Sequence, residues 1–472
     1  MQERTDQGLW WFPGAEETAV AGTLTIKDGY FPKLDLIGAL TELQQMTQDF
    51  SPDIILGVAG GSYVTLYRCV RVGGRLQMPG IYSESYSASF ALRGAHFDTA
   101  ASIRFSKMRH SYDALFEWAG LSGMTMEIVT DAHGHLGRVG AQYEFPVVPE
   151  FRIEDATLTL RAAAAVDGGP RSQHLTIKQA LALEVVPTSP LSIEAYLERY
   201  FHDLANFLAL AAGGAIRTTE VTAEVMHEPG AQADSPTHVT IAYRSRGGHV
   251  NREWQRHDML FTLGDIREEA EQALQLWLSR AEVLRPVYDL YFGTVFQERP
   301  YIHQRFLSLA QALESYHRRL VGGTHLPTQD FDGLLREFLE VLASTHHPID
   351  GDARSAFTDK LRYLNEVSLR RRLRELVQSR AGVARLLIRD VKRFVDRVVH
   401  TRNYYTHYDD ASRDNAVTEN QLPLLADQMQ FLLELCLLTE IGLNDDILTR
   451  ISQRQQRYAA LRQSLDAFDP VT

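Results

Sequence analysis

The sequence contains very little cysteine and little lysine. Cys69 and Cys436 are the only cysteines among 472 residues, and they lie far apart with no metal-like spacing. A disulfide framework and a cysteine zinc site are therefore excluded, and a reducing cytosol is the expected compartment. Six lysines stand against 42 arginines, a bias typical of a G+C-rich coding genome. Selection of arginine for bidentate phosphate contacts can apply only locally.

A positive net charge and a long apolar run are also absent. The formal charge is -12, which argues against bulk electrostatic coating of nucleic acid but leaves a local basic site open. No apolar run reaches the roughly 18 residues of a membrane span, because Glu434 and Glu440 interrupt the best candidate, 431–443. The first residues have no basic segment followed by an apolar core, as a secretory signal would. We expect a cytoplasmic protein without membrane attachment.

The first 190 residues have the pattern of short β-strands. Alternating or apolar runs of strand length are separated by glycine and proline turns, as at 20–27, 63–72 and 157–163. This spacing predicts an antiparallel sandwich or a barrel-like sheet. Apolar residues then recur at helical spacing over 192–215, which predicts one helix packed on the sheet. A further strand pair is predicted on either side of a loop over 229–236.

Helical spacing continues from Asp265 to the end of the chain. It predicts a long amphipathic helix over 266–290 and further helices after it. We place the domain boundary so that 1–296 is a β-rich, sandwich-like sensing or regulatory domain and 297–472 is all-α. The predicted fold class is α+β, multidomain.

Two glycine-containing and histidine-containing segments are predicted to be turns. The segment 57–62 has the glycines of a phosphate loop but lacks its Lys-Ser/Thr ending and lies between two strand-like runs. His133 and His135 have no third metal ligand nearby, so a hairpin tip is the better interpretation. We predict neither a metal site nor a cofactor.

The segment 361–402 is strongly basic. It holds twelve arginines and lysines against four acidic residues, a local charge of +8. One interpretation is a solvated arginine face or pairing with the acidic N-terminal part. The other is a groove that steers an RNA backbone, with Arg393 and Arg397 as RNA-binding candidates. The two do not exclude each other.

The segment 402–408 combines a cation, an amide, an imidazole and three tyrosines. Arginine followed by four to six residues and histidine occurs seven times in this chain, so the spacing alone is uninformative. Only Arg402 with His407 has an asparagine, Asn403, directly after the arginine. On a helix predicted over 383–408, Arg402 lies about 140° around the axis from His407. A joint role requires a helix end, a distortion or the long reach of arginine.

This motif resembles that of the HEPN superfamily of ribonucleases, in which Arg, often followed by Asn, precedes His by four to six residues. Residues 306–318 resemble the opening helix of ApeA-like HEPN domains. Residues 8–13, 20–24 and 115–118 resemble the ApeA-type N-terminal domain. The resemblance implies a metal-independent endoribonuclease of bacterial anti-phage defence by abortive infection. It also implies a homodimer through the HEPN domain, with a composite site, and an N-terminal domain that senses a phage-derived trigger or restrains the effector.

Within this resemblance, Arg402, Asn403 and His407 are the catalytic candidates. His407 can act as base or acid near neutral pH, and Arg402 can stabilise charge on the phosphate. Auxiliary candidates on the predicted helices are Glu314, His317 and His400. Tyr404, Tyr405 and Tyr408 either stack on RNA bases or pack in the core, and Tyr404 and Tyr408 are the RNA-binding candidates. HEPN toxins that are nucleotidylated carry a tyrosine two residues after the histidine, where this chain has Asp409, so that regulation is not implied.

Two alternatives remain open from the sequence. The first is a noncatalytic HEPN scaffold that binds nucleotides or RNA. The second is a carbohydrate-binding β-sandwich with a helical oligomerisation tail, which would leave Arg402 and His407 buried and unpaired.

Overall fold

A computed structural model describes residues 3–42, 50–76, 80, 82–169, 171–225, 237–245, 252–408 and 413–468. The chain forms two compact units. The first unit comprises Met1–Ser279 and Val295–Glu298, and the second comprises Arg280–Thr294 and Arg299–Thr472. The loop predicted over 229–236 lies outside the described residues.

The first unit contains a closed six-stranded antiparallel barrel. Its strands pair in the order β6-β3-β2-β1-β4-β5, and β5 pairs back onto β6. Side chains that alternate inward along these strands fill the interior with residues such as Trp10, Leu34 and Ile55. The strands are β1 Arg4–Trp11, β2 Val20–Ile26, β3 Lys33–Leu36, β4 Ile54–Ala59, β5 Ser62–Leu76 and β6 Tyr82–Arg93.

Further strands extend the barrel sheet from β6. They follow in the order β16-β15-β8-β13-β12-β11, so the main sheet has twelve strands. The β-rich prediction is confirmed, and of its two alternatives the strands form a barrel rather than a sandwich. The remaining strands are β7 Arg104–Phe105, β8 Lys107–Tyr112, β9 Met124–Thr130, β10 Leu136–Tyr143, β11 Glu150–Ile153, β12 Ala156–Gly168, β13 Leu175–Pro187, β14 Leu191–Ser192, β15 Thr218–Val225 and β16 Thr237–Tyr243.

The glycine segment 57–62 contains the predicted turn, which Gly60 and Gly61 form between β4 and β5. Gly60 and Gly61 have positive φ angles of 56° and 73°, which L-residues with a Cβ rarely adopt. Gly57 has a different role, since a Cβ there would lie 2.3 Å from the Trp10 ring. The predicted histidine hairpin tip is also present, between β9 and β10.

One interrupted helix packs on the sheet of the first unit. It consists of α2 Ile193–Tyr196, a π-helical turn Leu197–Phe201 and α3 His202–Ala212, where the sequence predicts a helix over 192–215. Phe201 and Phe207 from it are buried. This unit also contains the short α1 Leu115–Ala119 and α4 Ala270–Ser279.

His110 of β8 is buried against this helix. Its ring stacks on Phe201 at 3.5 Å between centroids, and its Nδ1 lies 3.3 Å from the Tyr112 hydroxyl. Burial lowers the pKa of the imidazole to about 3, against an ordinary value of 6.5. The folded state therefore holds His110 neutral where the unfolded chain takes up a proton.

We expect His110 to make the first unit acid-sensitive. Because the folded pKa lies below the unfolded one, stability is complete above pH 6.5 and is lost as the pH falls from 6.5 towards 3, by at most about 1.4 kcal/mol per pH unit. In thermal unfolding across this range, His110→Phe should lose stability less steeply than wild type. The exposed-histidine variant His257→Phe should follow wild type, and parallel slopes for all three proteins would refute this role.

The second unit is a helical bundle. Its helices are α5 Ala281–Val295, α6 Ile302–Leu320, α7 Thr328–Ser344, α8 Gly351–Arg362, α9 Leu369–Gln378, α10 Ala381–Ala384, α11 Val391–His407, α12 Leu422–Glu440, α13 Asp445–Arg454 and α14 Gln456–Phe468. Among the described helices, α12 alone is long and apolar enough to cross a membrane, but 72% of that window is buried inside the protein. We therefore assign α12 as the core helix of the bundle.

The helix predicted over 266–290 is two helices, α4 and α5, in the structure. One division between the units falls between them, at Ser279 and Arg280, and Val295–Glu298, at the predicted boundary near 296, again belong to the first unit. Tyr291 of α5 contacts the second unit, since its hydroxyl donates to the buried Glu434 of α12 at 2.6 Å. This contact makes α5 part of the helical bundle.

Candidate functional site

The motif residues lie at the C-terminal end of α11. The helix begins after Asp390, whose side chain accepts a hydrogen bond from the Arg393 amide at 2.9 Å. The prediction of one helix over 383–408 is therefore wrong at its start, where α10 ends at Ala384 and α11 begins at Val391. One face of α11 is buried, and the opposite face therefore points outward. The buried residues are Phe394, Val395, Val398 and Thr401.

Asn403 and His407 are exposed one turn apart on that outward face, while Arg402 is half-buried at its edge. The Arg402 Nη1 donates to the Asn403 Oδ1 at 3.3 Å. Asn403 thus contacts Arg402. No side chain among the described residues hydrogen-bonds the His407 imidazole. An imidazole in this setting is accessible to a substrate.

The helix ends immediately after His407. Tyr408 caps it in the left-handed conformation, with φ 50° and ψ 36°, and its amide donates to the Tyr404 carbonyl at 2.6 Å. A non-glycine residue in this conformation costs roughly 1–2 kcal/mol. His407 therefore occupies a helix end, one of the conditions under which Arg402 and His407 can act together. Asp409 lies outside the described residues.

Two adjacent stripes of polar and aromatic residues run along the exposed side of α11. Asp396, His400, Asn403 and His407 form the first. The second lies about 60–80° further around an ideal helix and holds three of the four predicted RNA-binding residues, Arg393, Arg397 and Tyr404. The fourth, Tyr408, follows the end of the helix. Asn403 and His407 therefore face a direction next to that of Arg393, Arg397 and Tyr404, whereas Arg402 lies on neither stripe.

The three tyrosines of the motif belong to an aromatic cluster, which also contains Tyr301, His303 and Phe306 from the start of α6. The Tyr405 ring lies 5.1 Å from Tyr404, 6.0 Å from Tyr408 and 6.1 Å from His303, measured between centroids. The cluster reaches from the buried Phe306 to Tyr408 and Tyr301, which are 61% and 72% exposed. One end of the cluster is therefore packed in the core, and the other end is exposed and available for base stacking.

Sequence reasoning did not associate Tyr301 and His303 with the site. The aromatic residues at the start of α6 were visible in the sequence, but their contact with the end of α11 is a tertiary contact. Burial raises the pKa of Tyr405, and the Glu419 carboxylate adds to the effect. Tyr405 therefore stays a neutral phenol.

His400 contacts a basic side chain from the neighbouring helix α9. The Arg370 guanidinium lies 3.4 Å from the His400 Nε2 and also pairs with Asp396. This places an arginine of the basic segment beside the stripe that leads to His407.

Several arginines of the predicted basic segment are buried or paired within the helical unit. Arg372 and Arg380 are buried, and the Arg372 Nε donates to the Val367 carbonyl at 2.9 Å. Four further arginines form ion pairs with Asp359, Asp396, Glu375 and Asp466; these are Arg362, Arg370, Arg371 and Arg389. The charge available to a polyanion is therefore smaller than the sequence count suggests.

Glu314 and His317 contact other parts of the bundle than the motif. Glu314 pairs with Arg318 at 3.4 Å. The buried His317 Nε2 lies 2.7 Å from the Glu375 Oε2, and its Nδ1 lies 3.1 Å from the Arg372 Nη1. A hydrogen bond from Arg371, with a second from His317, lowers the pKa of Glu375. These contacts join α6 to α9, and an auxiliary catalytic role for either residue stays a prediction.

Within the part of the chain that the structure describes, no three His, Cys, Asp or Glu side chains come together in an arrangement that holds a metal ion.

Comparison with known families finds two matches along the chain. The sequence model described as ApeA N-terminal domain 1 matches residues 7–277, more than half of the chain. The model described as Apea-like HEPN matches residues 307–447, which include most of α6 and all of α9, α11 and α12. No curated protein and no solved structure matches the chain.

Proposed function

Because the chain belongs to the ApeA family and carries its HEPN domain, we propose that it is a metal-independent endoribonuclease of anti-phage defence. The HEPN family itself suggests ribonuclease-type defence against phage. The finer proposal is that the chain cuts RNA at a composite site built from Arg402, Asn403 and His407 of two copies. RNA damage would then stop translation and abort the infection.

The single observation that carries this proposal is the position of the motif at the end of α11. Arg402 and Asn403 are linked to each other, and His407 is exposed in the last turn with no described hydrogen-bond partner. The carbohydrate-binding alternative called for Arg402 and His407 to be buried and unpaired, whereas His407 is exposed and Arg402 is bonded. This arrangement favours a site that meets a ligand from outside.

The proposed reaction is an attack of the ribose 2′-oxygen on the adjacent phosphorus. A neutral histidine takes the 2′-hydroxyl proton, and a protonated histidine gives a proton to the leaving 5′-oxygen. The new O2′–P bond replaces the P–O5′ bond, so the products end in a 2′,3′-cyclic phosphate and a 5′-hydroxyl. The Arg402 guanidinium holds the nonbridging oxygens, on which charge grows in the transition state.

The reaction requires two histidines, and the motif supplies one per chain. A two-fold dimer through the helical unit would bring a second His407 to the same phosphate. We propose that the N-terminal unit senses a phage-derived trigger or restrains the nuclease. The protein would act in the cytoplasm.

The mechanism predicts that cleavage needs a 2′-hydroxyl and no metal ion. Excess EDTA should leave the rate on a single-stranded RNA unchanged within about twofold, because every proton transfer is assigned to side chains. A matched oligonucleotide with one 2′-deoxynucleotide 5′ to the cleaved phosphate should resist cutting at that position only. Loss of cleavage in EDTA, or normal cleavage at the deoxy position, would contradict the mechanism.

A further inference from the structure

The aromatic cluster at the junction of α6 and α11 has no part in the proton transfers described above. We propose that it is a base-binding platform. An unpaired nucleobase of the RNA substrate would stack on it, beside the phosphate held by Arg402. This inference rests on the proposed function and narrows its substrate to RNA that is single-stranded at the cleavage site.

Three rings of the cluster form a nearly parallel series. Tyr301 stacks on His303 with an interplanar angle of 26° and a centroid distance of 5.6 Å. His303 stacks on Tyr405 with an angle of 18° and a distance of 6.1 Å. The series ends at Tyr301, which is 72% exposed. A base that continues the series would stack on this exposed ring.

The buried end of the cluster holds the series in place. Phe306 is fully buried in the bundle, and its ring centroid lies 6.4 Å from that of Tyr405. The Tyr404 and Tyr408 rings meet Tyr405 edge-on, at interplanar angles of 63° and 88°. A stacking surface that is already ordered loses little conformational entropy when a base binds.

The cluster includes residues of the motif segment itself. Tyr405 lies between Arg402 and His407 in sequence, and Tyr404 lies about 60° around the helix from His407. The phosphate held by Arg402 and His407 and the base bound on the platform would thus belong to neighbouring nucleotides of one RNA strand. Arg393 and Arg397, on the same stripe as Tyr404, continue along α11 from this point.

The chemistry of the platform favours an unpaired base over a duplex. Aromatic faces bind the π-face of any base, and in a duplex that face is covered by the neighbouring base pairs. The platform should therefore bind many sequences and select single-stranded regions and loops.

Equilibrium binding of a short single-stranded RNA by the full-length His407→Ala protein tests the platform. In that background, Tyr301→Ala should weaken binding at least about fivefold, the equivalent of about 1 kcal/mol. Tyr301→Phe keeps the ring and should bind within about twofold of the parent. The control Tyr363→Ala removes a tyrosine that is 68% exposed in the same unit but outside the cluster, and it should bind like the parent.

Two further measurements distinguish base binding by Tyr301 from a structural role of this residue. The same RNA annealed to its complement should bind more weakly and lose its sensitivity to Tyr301→Ala. Sedimentation should give the same oligomeric state for Tyr301→Ala and Tyr301→Phe. Equal binding by Tyr301→Ala and Tyr363→Ala, or dissociation of Tyr301→Ala alone, would overturn the platform.

The two proposals fail in different ways. Cleavage of RNA by Tyr301→Ala as efficient as that by wild type would overturn the platform and leave the nuclease intact. Wild type that neither binds nor cuts RNA would overturn both.

Discussion

Replacement of His407 by alanine should reduce RNA cleavage about a thousandfold or more while the protein keeps its fold. General acid or base catalysis contributes about a hundredfold to ten-thousandfold, and a two-fold composite site loses both histidines at once. Because His407 is exposed at a helix end, its loss removes no buried contact. Initial rates on a labelled RNA, with circular dichroism as the check on folding, measure this effect.

Arg402→Ala should cause a loss of about a hundredfold to a thousandfold, because it removes charge stabilisation from the transition state. Arg402→Lys should recover little, since an ammonium lacks the planar fork of the guanidinium. His257→Ala is the matched control. It belongs to Arg252 and His257, a pair of the same spacing in the first unit, and its side chain is 63% exposed. Equal rates for His257→Ala and His407→Ala would reject the assigned site and favour a noncatalytic scaffold.

The largest loss of stability should follow replacement of Glu434 by alanine, by about 3 kcal/mol or more. This carboxylate is fully buried in α12 and accepts hydrogen bonds from Tyr291 at 2.6 Å, Gln430 at 2.8 Å and Arg457 at 2.7 Å, as well as from Tyr458. Removal of the acid leaves the arginine without its counter-charge and two tyrosines without their acceptor. Chemical denaturation followed by the helical signal measures the change.

Two variants calibrate this result. Glu434→Gln keeps an acceptor oxygen and should lose less stability than Glu434→Ala. Glu337→Ala, at an exposed position of α7, should change stability by less than about 0.5 kcal/mol. A Glu434→Ala protein as stable as Glu337→Ala would mean that the buried network does not hold α5, α12 and α14 together.

The predictable part of the fold was the part determined by local pattern. Alternation over strand lengths marked the β-rich unit, and helical spacing marked the bundle, because both patterns follow from which face each element buries. Gly60 and Gly61 predicted a turn, because glycine readily adopts the positive φ angles that they have in the structure. The loose Arg-to-His spacing occurs seven times and does not single out one pair. Asn403 and the family resemblance identified Arg402 and His407 as the candidate motif.

The rest depends on contacts between distant residues. Closure of the barrel requires β5 to pair with β6, and no local pattern separates that closure from a sandwich. Glu434 appeared as an interruption of an apolar run, whereas its partners Tyr291 and Tyr458 lie 143 and 24 residues away. In the same way, His303 of α6 contacts Tyr405 across about a hundred residues of chain, so the aromatic cluster is visible only in the structure.

The chemistry of the RNA ends tests the central claim most directly. Purified wild type and His407→Ala should each be incubated with the same RNA, and the termini of the products identified. The account predicts 2′,3′-cyclic phosphate and 5′-hydroxyl ends with wild type and neither with His407→Ala. Products with 3′-hydroxyl ends, or cyclic phosphate ends formed equally by His407→Ala, would contradict it.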